Sequence, residues 1–260
     1  MQEDLWTSIK NEVTLQISRE PILSGYLKNR VLRHASMSRA ISDLMSVKLG
    51  SAEINANALR LLFDDVLEAD PDIIAAVTRD LLATRQRDPA VLNYSTAMLY
   101  FKGFHALQSY RIAHSLWQQG RKQLALYLQS QISEKFCVDI HPAATIGSGI
   151  LIDHATGIVI GETCILDDDI SIMQGVTLGG TGKDVGDRHP KIRAGVLIGA
   201  GANIIGNVII GEGAKVGAGS VVLNDVDAHT TVAGVPAVVV GRPDADQPAL
   251  DMNHGLNVKN

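Results

Sequence analysis

The chain has 260 residues, 46% of them hydrophobic and 20% charged, with a formal net charge of −5 and a pI near 5.9. That length can bury a full core and hold two domains, while the acidic balance gives no electrostatic reason to expect nucleic acid, whose phosphates demand a clustered basic face. Two cysteines, Cys137 and Cys164, are too few for a disulfide framework and match no CxxC-type ligand spacing.

The chain opens MQEDLWTSIKNEV, acidic where a signal peptide is basic and without an apolar stretch, so a cytoplasmic location is expected. The first half reads as helix. Stretches 3–18, 38–49, 55–68 and 96–118 space apolar residues three and four apart, with Leu99, Gly103, Ala106, Leu107, Tyr110 and His114 on one face. ADPDII and RDPAVL each put Asp ahead of Pro, the pattern of a helix entry with Asp as N-cap and Pro first in the helix. An all-α domain over 1–139 follows.

The composition changes near residue 139: every aromatic residue lies before it, Phe136 being the last, and twenty of the 24 glycines lie after it. From Ile140 an aliphatic or small apolar residue falls at every sixth place: Ile146, Ile152, Ile158, Cys164, Ile170, Val176. The beat resumes at Ile192 and runs through Ile198, Ile204, Ile210, Val216, Val222 and Ala228. A six-residue period with small residues after the marker (IGSG, IGAG, IGEG, VGAG) suits a parallel β-helix over 140–241, three short strands to a coil, glycine at the corners and no room for aromatic rings. The hand of the coil is not legible from the period. Cys164 keeps the beat and reads as a buried core thiol. The uncharged run AGVLIGAGANIIGNVIIG (194–211) has the length of a membrane span; its glycines, Asn203, Asn207 and its period assign it to the repeat instead.

The sixteen residues from Val176 to Ile192 are one repeat plus ten, so GGTGKDVGDRHP (179–190) holds an insertion. It is not a Walker loop, because Lys183 is followed by Asp184 and no glycine stands at the required earlier place. A long loop on a regular scaffold is functional or disordered, and function is favoured here. Ionisable residues cluster at Asp139, His141, Asp153, His154 and Glu162, and in the insertion at Asp184, Asp187, Arg188 and His189. With eighteen residues to a coil, Asp139 and His154 fall on adjacent coils and meet near one corner, a carboxylate fixing the tautomer of an imidazole base. His141, His154 and His189 lack the pair of histidines five apart found in trimeric zinc β-helices, so no metal is expected.

The run YFKGFHALQSYRIAHSLWQQGRKQLALYLQSQISEKFCVDIHPAATIGSGILIDHATGIVIGET, followed by GVTLGGTGKDVGDRHPKI and AGVPAVVVGRP, resembles bacterial serine O-acetyltransferases, hexapeptide-repeat acyltransferases of cysteine biosynthesis. The resemblance spans nearly the whole chain. It implies an α + β fold: an N-terminal all-α helical domain that joins two trimers, followed by a left-handed parallel β-helix of hexapeptide repeats with one inserted loop. It also implies direct transfer of acetyl from acetyl-CoA, as co-substrate, to the L-serine hydroxyl. His154 would be the general base and Asp139 its orienting partner. Asp88 and Asp153 would receive the substrate ammonium, Arg188 and His189 its carboxylate, and Glu162 would stand behind them. Acetyl-CoA would lie in the groove between neighbouring β-helices against Gly180, Thr181 and Ala200, with Lys215 near the phosphates. Cysteine as a feedback inhibitor is a further expectation. A related hexapeptide acyltransferase acting on another hydroxyl acceptor such as homoserine or a sugar is the alternative; with a sugar it would keep His154 without needing the carboxylate pair. In this family a terminal Ile commonly enters cysteine synthase, whereas this chain ends MNHGLNVKN with Val258 and Asn260, so that partnership is in doubt and 242–260 reads as a flexible tail.

Overall fold

A computed structural model describes residues 2–183 and 185–256. Asp184 of the insertion, and Val258 and Asn260 of the terminus, lie outside the described residues. The helical domain is built from α1 (Gln2–Arg19), α2 (Ser24–Leu27), α3 (Met37–Leu49), α4 (Ala56–Ala69), α5 (Pro71–Arg87), α6 (Tyr94–Tyr100), α7 (Lys102–Gln118) and α8 (Lys122–Phe136). Ser36 and Asn55 cap α3 and α4 by accepting the amides of Arg39 and Ala58 at 3.3 and 3.0 Å. Asp70–Pro71 opens α5 as the pattern predicts, although the Asp70 carboxylate makes no cap bond.

Asp88–Pro89 does not open a helix. Proline pushes the residue before it out of helical backbone, so α5 stops at Arg87 and Asp88 becomes its C-cap (φ −103, ψ 109), its Oδ1 accepting the Ala90 amide at 2.8 Å. The expected single helix over 96–118 also breaks, at Phe101 (φ −85, ψ 113). The break re-aims α7 so that Gly103 lies flat on the Ile152 carbonyl, where an added Cβ would sit 2.2 Å from the oxygen.

Three parallel sheets wrap the solenoid. The first holds β1 (Val138–Ile140), β4 (Ile158–Ile160), β7 (Thr177–Gly179), β10 (Asn203–Ile205) and β13 (Val221–Val222). The second holds β2 (Thr145–Ile146), β5 (Ile165–Leu166), β8 (Lys191–Ile192) and β11 (Ile209–Ile210). In the third are β3 (Leu151–Ile152), β6 (Ser171–Ile172), β9 (Leu197–Ile198), β12 (Lys215–Val216), β14 (Thr231–Gly234) and β15 (Ala237–Gly241), the last pairing antiparallel. Inward ladders such as Ile140, Ile160, Leu178, Ile204 and Val222 fill the prism.

The registers correct the expected period. The first step is twenty residues in every sheet (Val138 on Ile158, Thr145 on Ile165, Leu151 on Ser171), whereas Val159 pairs with Thr177 at the expected eighteen. Two surplus residues therefore lie in the turn between Ile152 and Ile158. The step across the insertion is twenty-six (Ile165 on Lys191, Ser171 on Leu197, Thr177 on Asn203), so the insertion carries eight surplus residues, not ten. The last coil closes in sixteen (Lys215 on Thr231), which leaves Ala228 exposed and off the core.

The helical domain covers the third sheet. Asp80, fully buried, accepts from Arg111 Nη2 (2.8 Å), Arg111 Nε (3.0 Å), Gln108 Nε2 (3.0 Å) and the Ile150 amide (2.9 Å). Arg111 also donates to the Gly147 carbonyl at 2.7 Å, and Arg87 reaches Asp169 at 3.0 Å. A buried ion pair satisfied in this way is not a large net gain, but removing one partner costs roughly 3–5 kcal/mol. Residues 242–256, expected as a flexible tail, place a short helix, α9 (Pro248–Asp251), on the same sheet: Ala249 is fully buried and its carbonyl accepts the Ser171 hydroxyl at 2.8 Å.

Candidate active site

Two corners of the prism carry the ionisable residues. At the turn from the third sheet to the first, a cleft of about 340 Å³ separates the helical domain from the first coil, lined by Asp88, Tyr100, Lys102, Gly103, Asp153 and His154 among others. The two surplus residues make this turn bulge: His154 and Ala155 both take left-handed backbone, φ 54 and 65, a conformation costing about 1–2 kcal/mol for each residue with a side chain. The bulge holds the His154 imidazole out, 71% exposed, with Asp153 Oδ2 3.8 Å from its Nε2. Asp88 faces the same cleft because the proline after it ends α5 there. Two carboxylates and a free imidazole suit a cationic group beside a hydroxyl that must lose its proton.

Asp139 does not meet His154 in the single chain. The two are fifteen residues apart, fewer than one turn, and share the first coil instead of sitting on adjacent coils; the residue stacked on Asp139 is Val159. Asp139 projects outward from β1, its Oδ1 accepting Gln129 Nε2 at 2.7 Å in a depression floored by α8 residues. The acid beside His154 is Asp153.

At the turn from the first sheet to the second, the insertion folds back on the coil above it. Thr163 organises it: its Oγ1 accepts the amides of Arg188 and His189 at 3.0 and 3.1 Å, and its own amide donates to His189 Nδ1 at 3.2 Å. With Nδ1 an acceptor, His189 carries its proton on Nε2. Lys191 nails the exit of the loop, its Nζ donating to the Thr163 carbonyl (3.0 Å), the His189 carbonyl (2.7 Å) and Asp187 Oδ1 (2.5 Å). Arg188 Nη2 donates to Glu162 Oε2 at 2.6 Å and holds that carboxyl below its usual range. Burial, then the Arg188 charge, push the His189 imidazole below its ordinary value. His141, in the same column, is lowered by burial against the opposing pull of Glu162 and Asp139. The corner is therefore a neutral imidazole donor beside a guanidinium, suited to a carboxylate. Burial raises the Cys164 thiol to about 12, which leaves it inert as a nucleophile.

The residues expected against the thioester co-substrate do not converge in one chain. Gly180 and Thr181 open the insertion, Ala200 lies at the third-to-first turn, and Lys215 is on the third sheet with its Nζ donating to the Gly255 carbonyl. At the third-to-first corner Gly157, Gly175, Gly201 and Gly219 stack in left-handed backbone, giving an uninterrupted edge without side chains. Among the described residues no three of His, Cys, Asp and Glu come together as metal ligands, and no helix is long and apolar enough to cross a membrane.

Lys102, Gly103, Gly161, Thr163 and Lys191 escape a reading by residue type. Gly103 passes for one more position on a helical face. Thr163 and Lys191 carry their chemistry through backbone contacts that no spacing announces.

Comparison with known proteins bears on the same residues. Residues 5–109 match the family described as serine acetyltransferase, N-terminal, and 189–224 match the bacterial transferase hexapeptide repeats. The serine acetyltransferase of Escherichia coli K12 is 54% identical over 255 residues, covering 98% of this chain and 93% of its own. The crystal structure of the Vibrio cholerae serine acetyltransferase superposes with a TM-score of 0.98 at 54% identity, covering 99% of this chain and all of the other. A serine acetyltransferase in complex with cysteine gives 0.96 at 52% identity, covering 98% and 100%. The Brucella abortus enzyme in complex with coenzyme A gives 0.90 at 48%, covering 92% and 96%.

Proposed function

The chain belongs to the serine acetyltransferase family and transfers acetyl from acetyl-CoA to the serine hydroxyl; from that premise we propose the roles of its residues. His154 is the general base. It takes the Oγ proton as that oxygen attacks the thioester carbon; the new C–O bond forms, the C–S bond breaks, and the imidazolium returns the proton to the departing thiolate. The exposed imidazole at a strained, bulged turn, in one cleft with Asp88 and Asp153, is the observation that carries the reading. A positioned base contributes about 10²–10⁴ in rate, and histidine, unperturbed near 6.5, can accept a proton at neutral pH.

Asp88 and Asp153 take the serine ammonium, and Arg188 with His189 takes its carboxylate. These two sets sit at different corners of the prism, with the first sheet between them, so a second copy of the chain has to complete the site. Val159 on the first sheet and Ile165 and Ile209 on the second are 37–40% exposed, apolar surface suited to packing against neighbouring solenoids. A trimer, joined to a second through the helical domains, is the assembly this favours. Asp139 becomes the partner of His154 by exchanging Gln129 for the imidazole. The co-substrate runs along the glycine edge past Ala200 towards Gly180 and Thr181, and Lys215 reaches a phosphate on giving up the Gly255 carbonyl. Cysteine, the same zwitterion with a thiol, occupies the serine groups as an inhibitor, in keeping with the relative crystallised with it. A cytoplasmic location belongs to the same reading.

The test is thiol release on purified protein with serine, homoserine and an amino sugar, repeated with His154→Ala. Serine is expected to be preferred, and the variant to lose about 10²–10⁴ in turnover. A fully active His154→Ala enzyme, or a preference for the sugar, would refute the assignment.

A further inference from the structure

Lys102 stands first in α7, where the positive end of the helix dipole disfavours a cation. No side chain caps this helix start and no acid occupies its first turn, so local preference does not account for a lysine here. Its Nζ instead crosses to the solenoid and donates to the Thr156 hydroxyl. Gly103, next in the helix, lies against the Ile152 carbonyl so closely that an added Cβ would meet that oxygen at 2.2 Å. The first turn of α7 thus grips the chain on both sides of Asp153–His154–Ala155, at Ile152 before them and at Thr156 after them. Between those grips lie the two surplus residues and two consecutive left-handed positions, φ 54 and 65, which an unrestrained turn would relax. From the next coil the Gly175 amide donates to the Thr156 carbonyl at 2.9 Å, and on the opposite side the Gly157 amide donates to the Cys137 carbonyl at 2.8 Å. Within the turn the amides of Ala155, Thr156 and Ile158 donate to the carbonyls of Asp153, His154 and Ala155 at 2.5, 2.8 and 3.2 Å; all of these bonds lie within the solenoid, and Lys102 adds a hold from the helical domain.

We propose that Lys102 is a positioning residue for catalysis: through Thr156 it holds the His154 turn in the strained form from which the imidazole reaches the acceptor hydroxyl. The inference rests on the reading of His154 as the base. It makes the helical domain part of the catalytic apparatus, and it predicts an effect on turnover, not on affinity.

The experiment uses the full chain with Lys102→Met, Lys102→Arg, Thr156→Val, the Lys102→Met/Thr156→Val double variant and His154→Ala, each followed by steady-state kinetics in serine and acetyl-CoA and by thermal melting. Misplacing a reacting group by about 1 Å costs on the order of 10²-fold. Lys102→Met and Thr156→Val are therefore each expected to lose about 10- to 100-fold in kcat with both KM values within about threefold. The double variant should be no worse than the worse single one, because both remove one interaction, and arginine should restore most of the rate. Thr156→Val keeps the shape of the side chain, so the test survives if Lys102→Met does not fold. Wild-type kcat in Lys102→Met or Thr156→Val, a loss confined to the serine KM, or multiplicative losses in the double variant would each overturn the inference. If His154→Ala is inactive while Thr156→Val is unimpaired, the positioning role alone falls; an active His154→Ala enzyme removes the base assignment and this inference together.

Discussion

Gly161 ends the strand above the insertion, and its backbone accommodates a side chain, yet the space beside it is filled by His189. A Cβ added there would lie 2.0 Å from His189 Cδ2, 2.1 Å from Nε2 and 2.8 Å from Cγ. Carbon atoms rest about 3.5–4.0 Å apart, so in Gly161→Ala the ring has to retreat by about 1.5 Å. The main chain need not move, since the Gly161 amide keeps its 3.0 Å bond to the Leu178 carbonyl and the ladder on either side is unchanged. What is lost is the Thr163 amide bond to His189 Nδ1, and with it the direction of the Nε2 proton. A displacement of that size in a substrate-orienting group costs on the order of 10²-fold, or about 2.7 kcal/mol. The variant should therefore show kcat/KM for serine down about 100-fold, KM for acetyl-CoA little changed and a melting temperature close to wild type. Thiol release with serine varied at saturating acetyl-CoA reads the first, and the converse titration the second. Wild-type kcat/KM for serine in a folded variant would show that the place of the His189 ring has no part in acceptor recognition.

Arg188→Ala should raise the serine KM by about tenfold or more, as expected for losing a charge-assisted bond of about 1.5–3 kcal/mol, and raise that for acetyl-CoA far less; the reverse pattern, seen in the same two titrations, would remove Arg188 from the acceptor site. His105 reports on stability instead. Burial, with help from Lys48, lowers its pKa from 6.5 to about 3 while the Met98 carbonyl partly opposes. On acidification the unfolded chain binds the proton first, so stability is full above pH 6.5 and falls by about 1.4 kcal/mol for each pH unit from there towards about 3. His105→Gln, which keeps a donor for the Met98 carbonyl, should flatten this part of the acid limb; identical slopes for the two proteins in calorimetry between pH 4 and 6.5 would contradict it.

The repeat was legible because a narrow prism admits only aliphatic and small side chains on its inner face, which imposes the beat on the sequence. The same packing hid its first change of phase. Each six-residue rung turns two residues inward, so after the turn at 153–157 the beat through Ile158, Cys164, Ile170 and Val176 still lands on buried positions, although the ladder has moved to Ile160, Leu166, Ile172 and Leu178. Counting sixes therefore passed over two surplus residues and assigned all ten to the later insertion; the placing of Asp139 and His154 on adjacent coils is a separate error, since fifteen residues are fewer than one turn of either length. Asp88 was visible as a residue before proline, but the pattern of an Asp–Pro pair does not say whether a helix is starting or ending. Lys102 and Gly103 were invisible for a different reason: what they touch lies on the other domain, and nothing in helical spacing encodes that.

Both lengthenings of the eighteen-residue coil fall at corners, and both corners carry the ionisable groups. A surplus residue within a strand would shift the side chains beyond it to the opposite face and empty the core, whereas one at a corner leaves every pairing intact. Corners are thus where this solenoid can accept extra chain, and extra chain is needed wherever a side chain must stand clear of the wall. The turn at 153–157 uses two residues to lift an imidazole into a cleft; the loop at 180–190 uses eight to fold a guanidinium and a second imidazole over the coil above. The difference in length tracks the difference in support. The long loop is anchored from its own solenoid by Thr163 and Lys191. The short turn is held by backbone bonds of its own and of its neighbours in the solenoid, and on the side facing the helical domain it meets the first turn of α7.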